Sequence, residues 1–371
     1  MPNYDFRPND KKSLLPKPNS GAKTFSGAKL ISSVFPVRGD PPSEIIRKLV
    51  LIVSVLALIG AAIVLLNFYF IRDIQMEKDI AALIELKEKY AGTEKVTIQL
   101  RDKDTGKAQD GAPVEVIGEY AEYYEKNPDF VGWVTIDPII NYPVTKGEDN
   151  VYYTKHNFDK QVTENGTVFA DYRNTFDGAK VSPNTVIYGH NLITKYYFEP
   201  LVVYRHPENY DSFVKSHLNV TFDTLYERGE YKIFSAMLVN VSDHLGEVFE
   251  YWNKLSFKNK ADFDNYVAEC LDRSYFYTGV DLKYGDEIVT LSTCDFSMFM
   301  GNDSNMRMVV MARKVRENED PKVDPDDFID NSGYDSEHNI KRKMFEEFYK
   351  VYGTEWGGRN WDTNYIKDFK G

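Results

Sequence analysis

Cysteine is nearly absent from this chain, with only Cys270 and Cys294 among 371 residues. Two thiols leave room for a single disulfide and for no Cys-x-x-Cys zinc or redox motif. The six histidines are scattered, with no His-Glu-x-x-His pair and no other metal-ligand spacing. A glycine-rich phosphate cradle is also missing. The Asp-rich run 324–330 lacks the glycine and closing glutamate of a calcium loop and reads as solvated chain. These absences predict no metal and no cofactor. Positive charge is the minority: the net is −12, and no basic face exists to neutralise phosphates, so nucleic acid is excluded as a partner.

Against this background one long apolar run stands out. Residues 49–71 contain no charged side chain, a length of about 35 Å as a helix and enough to cross a bilayer core. Arg47-Lys48 precede it and Arg72 follows. Residues 1–48 carry nine Lys/Arg against four Asp/Glu, a net of +5, so the remainder carries −17. The positive-inside rule then keeps the N-terminus in the cytoplasm and exports the rest, anchored by a single pass. The arm 1–48 is rich in Pro, Ser, Gly and Lys without apolar periodicity, and is expected to be disordered, with membrane lipid within its reach.

Residues 72–113 read as a stalk and linker, with an amphipathic helix over 74–90 and a polar, turn-rich stretch over 93–113 that is a linker or a hairpin. Residues 114–126 show helical spacing that ends before Asn127-Pro128. Beyond that point the pattern changes. Short β-branched or aromatic runs occur at 132–136, 141–145, 166–170, 185–188, 220–225, 231–241, 287–292 and 308–315, punctuated by Gly, Asn, Asp and Pro. Strands of this length and spacing predict a closed or nearly closed β-barrel over residues 114–316. Helical patterns at 198–204, 209–217 and 259–273 decorate it, giving a mainly β fold with added helices. Residues 316–337 are Asp/Glu-rich with two prolines and predict a linker. The extension 317–371 ends in a helical pattern over 338–352 and then Trp356, Trp361, Tyr365 and Phe369, aromatics expected to dock on a surface.

The chemistry concentrates in three places. Thr290-Leu291-Ser292-Thr293-Cys294 puts a thiol at the end of an apolar strand, and Asn305-Met306-Arg307-Met308-Val309-Val310 opens the next strand with an arginine. If the two are neighbours, a permanent positive charge stands near a thiol that needs one to become a thiolate, and the same charge can hold an oxyanion. Cys270 falls on the apolar face of the 259–273 helix with Phe263 and Tyr266, the position of a buried, inert thiol. Among the histidines, His190 alone follows an apolar strand and a glycine, in Tyr188-Gly189-His190-Asn191. Strand ends feeding loops commonly project functional side chains.

These His, Cys and Arg segments, in this order, resemble the signature motifs of sortases, and most closely class B. Asn127-Pro128-Asp129-Phe130-Val131-Gly132-Trp133, Tyr142-Pro143-Val144, Asp149-Asn150-x-Tyr152-Tyr153 and Gly166-Thr167-Val168-Phe169-Ala170-Asp171-Tyr172-Arg173-Asn174 extend the likeness, as does the helix between the His and Cys motifs. It covers residues 114–316 and leaves the tail 317–371 outside. The resemblance implies an eight-stranded sortase-type barrel behind one transmembrane helix, working as a cysteine transpeptidase on the outer surface of a Gram-positive cell membrane. Its implied partners are secreted proteins with LPxTG- or NPxTN-like sorting signals, and a peptidoglycan precursor or pilin amine as acceptor. By the same likeness Cys294 is the nucleophile, His190 the general acid and base, and Arg307 the oxyanion or substrate-backbone holder, with Asn150 and Ser292 lining the substrate groove. Arg313 competes with Arg307, because six residues along a strand return to the same face.

Two other classes compete. A sortase-like barrel that has lost catalysis would act as a membrane-anchored interaction protein, binding through its C-terminal extension. Retention of Cys, His and Arg together argues against it. A papain-like hydrolase would carry its cysteine early and near a helix start, not late and at a strand end.

Overall fold

The computed structural model describes residues 33–331, except 67–71, 102–106, 110, 179, 193–195, 242–247 and 295–305. The predicted helix over 338–352 and the aromatic tail lie outside the described residues. The chain forms two compact units that divide after Ile74.

In the first unit, α1 (Pro42–Leu66) is apolar and long enough to cross a membrane, and none of its apolar stretch is buried by protein. The helix begins seven residues before the charge-free run. Its first turns hold Glu44, Arg47 and Lys48, and Lys48 is satisfied by Asp40 at 2.7 Å.

The second unit takes in nearly all of α2 (Arg72–Tyr90), which buries Met76, Ile80 and Leu83. A small hairpin follows, β1 (Val96–Ile98) against β2 (Val114–Val116), and then α3 (Gly118–Lys126). The helical spacing over 114–126 is therefore only partly realised. Val114 and Val116 pair with Ile98 and Val96, and the Ile117 amide bonds to the Leu225 carbonyl, so the helix starts at Gly118. Local periodicity cannot register a partner strand some 18 residues away.

Next come β3 (Phe130–Ile136), β4 (Ile140–Thr145), β5 (Phe169–Ala170), the short ribbon β6 (Phe176–Asp177) and β7 (Lys180–Val181), and β8 (Asn184–Tyr188). After three 3₁₀ turns the chain continues through β9 (Asn219–Thr224), β10 (Glu230–Asn240), α4 (Lys260–Asp272), β11 (Phe276–Tyr277), β12 (Ile288–Cys294), β13 (Met306–Lys314) and β14 (Ile329–Asp330). The segments expected to be helical at 198–204 and 209–217 are these 3₁₀ turns, at Glu199–Arg205, Pro207–Asn209 and Val214–Ser216.

Eight strands close a barrel in the order β10-β13-β12-β8-β5-β4-β3-β9. All eight runs singled out from β-branched and aromatic content are barrel strands. Every barrel strand sends residues into one shared core, including Val134, Val144, Ala170, Ile187, Val220, Ala236, Leu291 and Val310, which identifies it as the barrel interior. The alternate residues of β8, β12 and β13 face outward, where Val186, Ile288 and Val309 pack with Phe263, Tyr266 and Cys270 of α4. This helix is capped by Asn259, whose side chain accepts from the Asp262 amide.

The acidic segment after β13 is not free chain over its described length. Glu319 pairs with Arg313 and Lys232, Phe328 packs on Phe276 and Tyr210, and β14 pairs with β11. Glu319 has its partners on the barrel, which composition alone does not reveal.

Candidate functional site

Three adjacent strands assemble the site end of the barrel. β12 pairs antiparallel with β13, and the register sets Cys294 opposite Arg307 as direct Cα partners. Such partners lie about 5 Å apart. On its other side β12 pairs in parallel with β8, with Ser292 opposite Tyr188. The Gly189 amide extends this ladder to the Ser292 carbonyl at 3.1 Å. Two residues past Tyr188 is His190, and two past Ser292 is Cys294, so both strands deliver these positions to one level. Cys294 thus pairs by its backbone with Arg307 on one flank, and on the other flank the chain leaves the ladder through Gly189 into His190. Positions 294 and 307 also share the parity of the outward set, with Ser292 and Val309 next along.

Gly189 is required by space. A Cβ there would lie 2.6 Å from the Phe198 ring, inside any tolerable contact. The close approach lets the Phe198 amide bond to the His190 carbonyl at 3.1 Å, which fixes the backbone carrying the imidazole. The His190 ring is half-buried, and its Nε2 lies 2.9 Å from the Thr154 carbonyl oxygen.

Arg307 and Arg313, equivalent by parity, are separated by environment. Arg313 is fully buried and engages Glu319 through Nη2 at 2.7 Å and the Asp281 carbonyl through Nε at 3.1 Å. It stands opposite Ile288, at the far end of β12 from Cys294. Arg307 is half-buried at the Cys294 level, with Nη1 donating to the Met306 carbonyl at 2.9 Å. Cys270 is buried in α4, and burial pushes its thiol well above the ordinary range, although a bond with Tyr266 acts the other way. It cannot supply a thiolate near neutral pH.

Asn150 and Ser292 have structural partners. The Asn150 amide donates to Asp171 at 2.9 Å, and its carbonyl accepts from the Tyr172 amide at 3.0 Å. Ser292 is buried, its hydroxyl 2.6 Å from that of Tyr251. Asp171 is the hub of this wall. Burial pushes its carboxyl up, but hydrogen bonds from Arg173, Asn150 and the Tyr188 hydroxyl prevail and hold it below the usual range. Arg173 continues the network to Asn253 and the Trp252 carbonyl. Asp171 and Arg173 lie in the 166–174 motif that resembles the sortase pattern, whereas Tyr251 has no signal in sequence. Among the described residues, no group of three or more His, Cys, Asp or Glu is arranged to hold a metal ion.

No family model matches the chain. Individual relatives do. Sortase B of Listeria monocytogenes is 32% identical over 182 residues, covering 49% of this chain and 69% of that protein. Sortase B of Staphylococcus aureus is 28% identical over 191 residues, covering 51% and 72%. Among solved structures, sortase B from Bacillus anthracis superposes with a TM-score of 0.51 at 25% identity, over 67% of this chain and all of that one. The Staphylococcus aureus sortase B–substrate complex gives 0.53 at 23% identity, over 67% and 99%, a likeness of fold. The closed barrel is therefore the sortase barrel, and the protein is a sortase transpeptidase. Within that class the chain belongs to the sortase B family.

Proposed function

We propose that this sortase cleaves a C-terminal sorting signal of the LPxTG or NPxTN kind through a thioacyl intermediate on Cys294. The observation carrying this reading is the pairing of Cys294 with Arg307 on one side of β12, with the Gly189 amide bonded to the Ser292 carbonyl on the other, one residue before His190. The Cys294 sulfur attacks the threonine carbonyl of the scissile bond. Arg307 carries the charge that develops on the carbonyl oxygen. Collapse expels the amine of the following residue, which takes its proton from His190, and leaves the acyl group on sulfur. An incoming amine, from a peptidoglycan precursor or a pilin lysine, then gives a proton to His190 and displaces the thiolate. Asn150 and Ser292 act within the groove by fixing its wall, through Asp171 and Tyr251.

The same reading makes α1 a single-pass membrane anchor, with the arm 1–48 in the cytoplasm and the barrel of residues 114–316 outside. It is supported by the exposed apolar surface of α1 and the basic residues before it. Residues 72–113 then form the stalk, and 317–371 a C-terminal extension.

The test uses the full chain in detergent, incubated with a sorting-signal peptide and an amine and examined by mass spectrometry. An acyl adduct and a transpeptidation product are expected for the wild type, and neither for Cys294→Ala. An adduct that persists in Cys294→Ala sinks the assignment. Peptide binding without turnover in the wild type favours an interaction protein instead.

A further inference from the structure

One nitrogen of the His190 ring is already committed. Nε2 lies 2.9 Å from the Thr154 carbonyl oxygen. A carbonyl oxygen has no proton and can only accept. The contact is a hydrogen bond only when Nε2 carries the proton, which in the neutral ring leaves Nδ1 bare. We propose that the Thr154 carbonyl is the positioning group for His190, holding the neutral imidazole as its Nε2–H tautomer and reserving Nδ1 for every proton exchange of the reaction. This rests on the reading of His190 as the general acid and base.

The proton balance follows directly. During acylation the imidazolium gives its Nδ1 proton to the departing amine and becomes the neutral Nε2–H ring. During transfer the Nδ1 lone pair takes a proton from the incoming amine, and the imidazolium returns. The bond from Nε2–H to the carbonyl persists in both forms, so the ring never has to turn over between the two half-reactions.

The acceptor is well supported. Thr154 closes the 3₁₀ turn Tyr152–Thr154, and its Oγ1 donates to the Val151 carbonyl at 2.5 Å. Asp149 fastens the start of that turn, its Oδ1 accepting from the Val151 and Tyr152 amides at 2.8 and 2.7 Å. These amides hold the Asp149 carboxyl below its ordinary range. Beneath the turn, the Thr167 amide donates to the Tyr153 carbonyl at 3.0 Å. The preceding Gly166 has φ of +58°, and a Cβ there would lie 2.5 Å from the Tyr153 oxygen and 2.8 Å from the Thr154 oxygen. Only glycine leaves the carbonyl where His190 meets it. Because the acceptor is backbone, no side-chain scan would find it.

The experiment is nitrogen NMR on full-length protein in proteoliposomes, labelled with ¹⁵N-histidine. A His190→Gln sample identifies the ring's signals. At a pH where the ring is neutral, a protonated Nε2 and a bare Nδ1 are expected. The Nδ1–H form, or a mixture of the two, overturns the proposal. Gly166→Ala moves the acceptor. It is expected to mix the tautomers and to lower kcat by about tenfold to a hundredfold, while KM for the sorting peptide stays within about twofold. Wild-type kcat in that variant also overturns the proposal, and if the variant fails to fold, the wild-type spectrum decides alone. His190→Ala separates the two readings. Lost transfer in that variant, with an Nδ1–H ring in the wild type, sinks only the tautomer proposal, whereas retained transfer sinks the role of His190 itself.

Discussion

Arg307 and Arg313 sit on one strand and share one face, six residues apart, yet the fold uses them in opposite ways. Arg313 is 0% exposed and saturated by Glu319, the Asp281 carbonyl and the Lys314 carbonyl. A guanidinium so enclosed has no capacity left for a substrate. Arg307 is half-buried, at the level of the strand end where Cys294 lies. The chemistry of the side chain is the same in both; full enclosure with Glu319 makes Arg313 structural. Sequence parity could not separate them, because the separating residue, Glu319, lies in a segment whose composition reads as a linker.

The contrast breaks most visibly at Arg313. Arg313→Ala removes a buried guanidinium from half-buried Glu319 and is expected to cost about 3 kcal/mol of stability, near the low end for a broken buried pair because Glu319 is partly exposed and keeps Lys232. A urea titration of the full chain in detergent measures it; a loss below about 1 kcal/mol would show that the pair is ornamental. Arg307→Ala should do the reverse. Transpeptidation is expected to fall by about 10²–10³-fold, the scale of one lost oxyanion donor, with the urea midpoint nearly unmoved. If Arg307→Ala transfers normally, Arg307 is no oxyanion holder.

Acid sharpens the same comparison. The hydrogen bond from Arg313 holds the Glu319 carboxyl well below the ordinary glutamate range, outweighing the opposing effect of burial. A carboxylate depressed in the folded state adds stability in full above its unfolded value of about 4.3, and loses it as pH falls toward the folded value. The melting temperature of the wild type should therefore drop as pH falls below about 4, and Glu319→Gln should flatten that drop while lowering stability at pH 7. Identical acid profiles for the two would remove Glu319 from the account. The smallest effect belongs to Cys270→Ala, which trims a buried side chain and should cost on the order of 1 kcal/mol with adduct formation intact. Cys270 should also resist iodoacetamide in the folded protein at neutral pH, and rapid alkylation there would contradict its raised pKa.

What could be read from sequence followed the range of the interactions involved. Alternation within a strand is local, so all eight barrel strands were legible, and so was the apolar face that buries Phe263, Tyr266 and Cys270. A hairpin was one reading of 93–113, but its second strand was hidden, because Val114 and Val116 look helical until Ile98 and Val96 are set beside them. The pairing of the Cys294 strand with the Arg307 strand was anticipated from their succession along the chain. The partners that hold Ser292 and Asn150 were not, because Tyr251 and Asp171 come from elsewhere in the chain. The Thr154 carbonyl was invisible for another reason: every residue has one, and only the fold says which of them meets a histidine.

The β12–β13 register has a further consequence for how such an enzyme changes over generations. The alignment of Cys294 with Arg307 is set by the seven consecutive pairs of the ladder, of which theirs is the last. Those two residues act as gateposts, footed in the six rungs behind them rather than in each other. Selection can therefore change the sequence around the posts while the rungs keep them abreast.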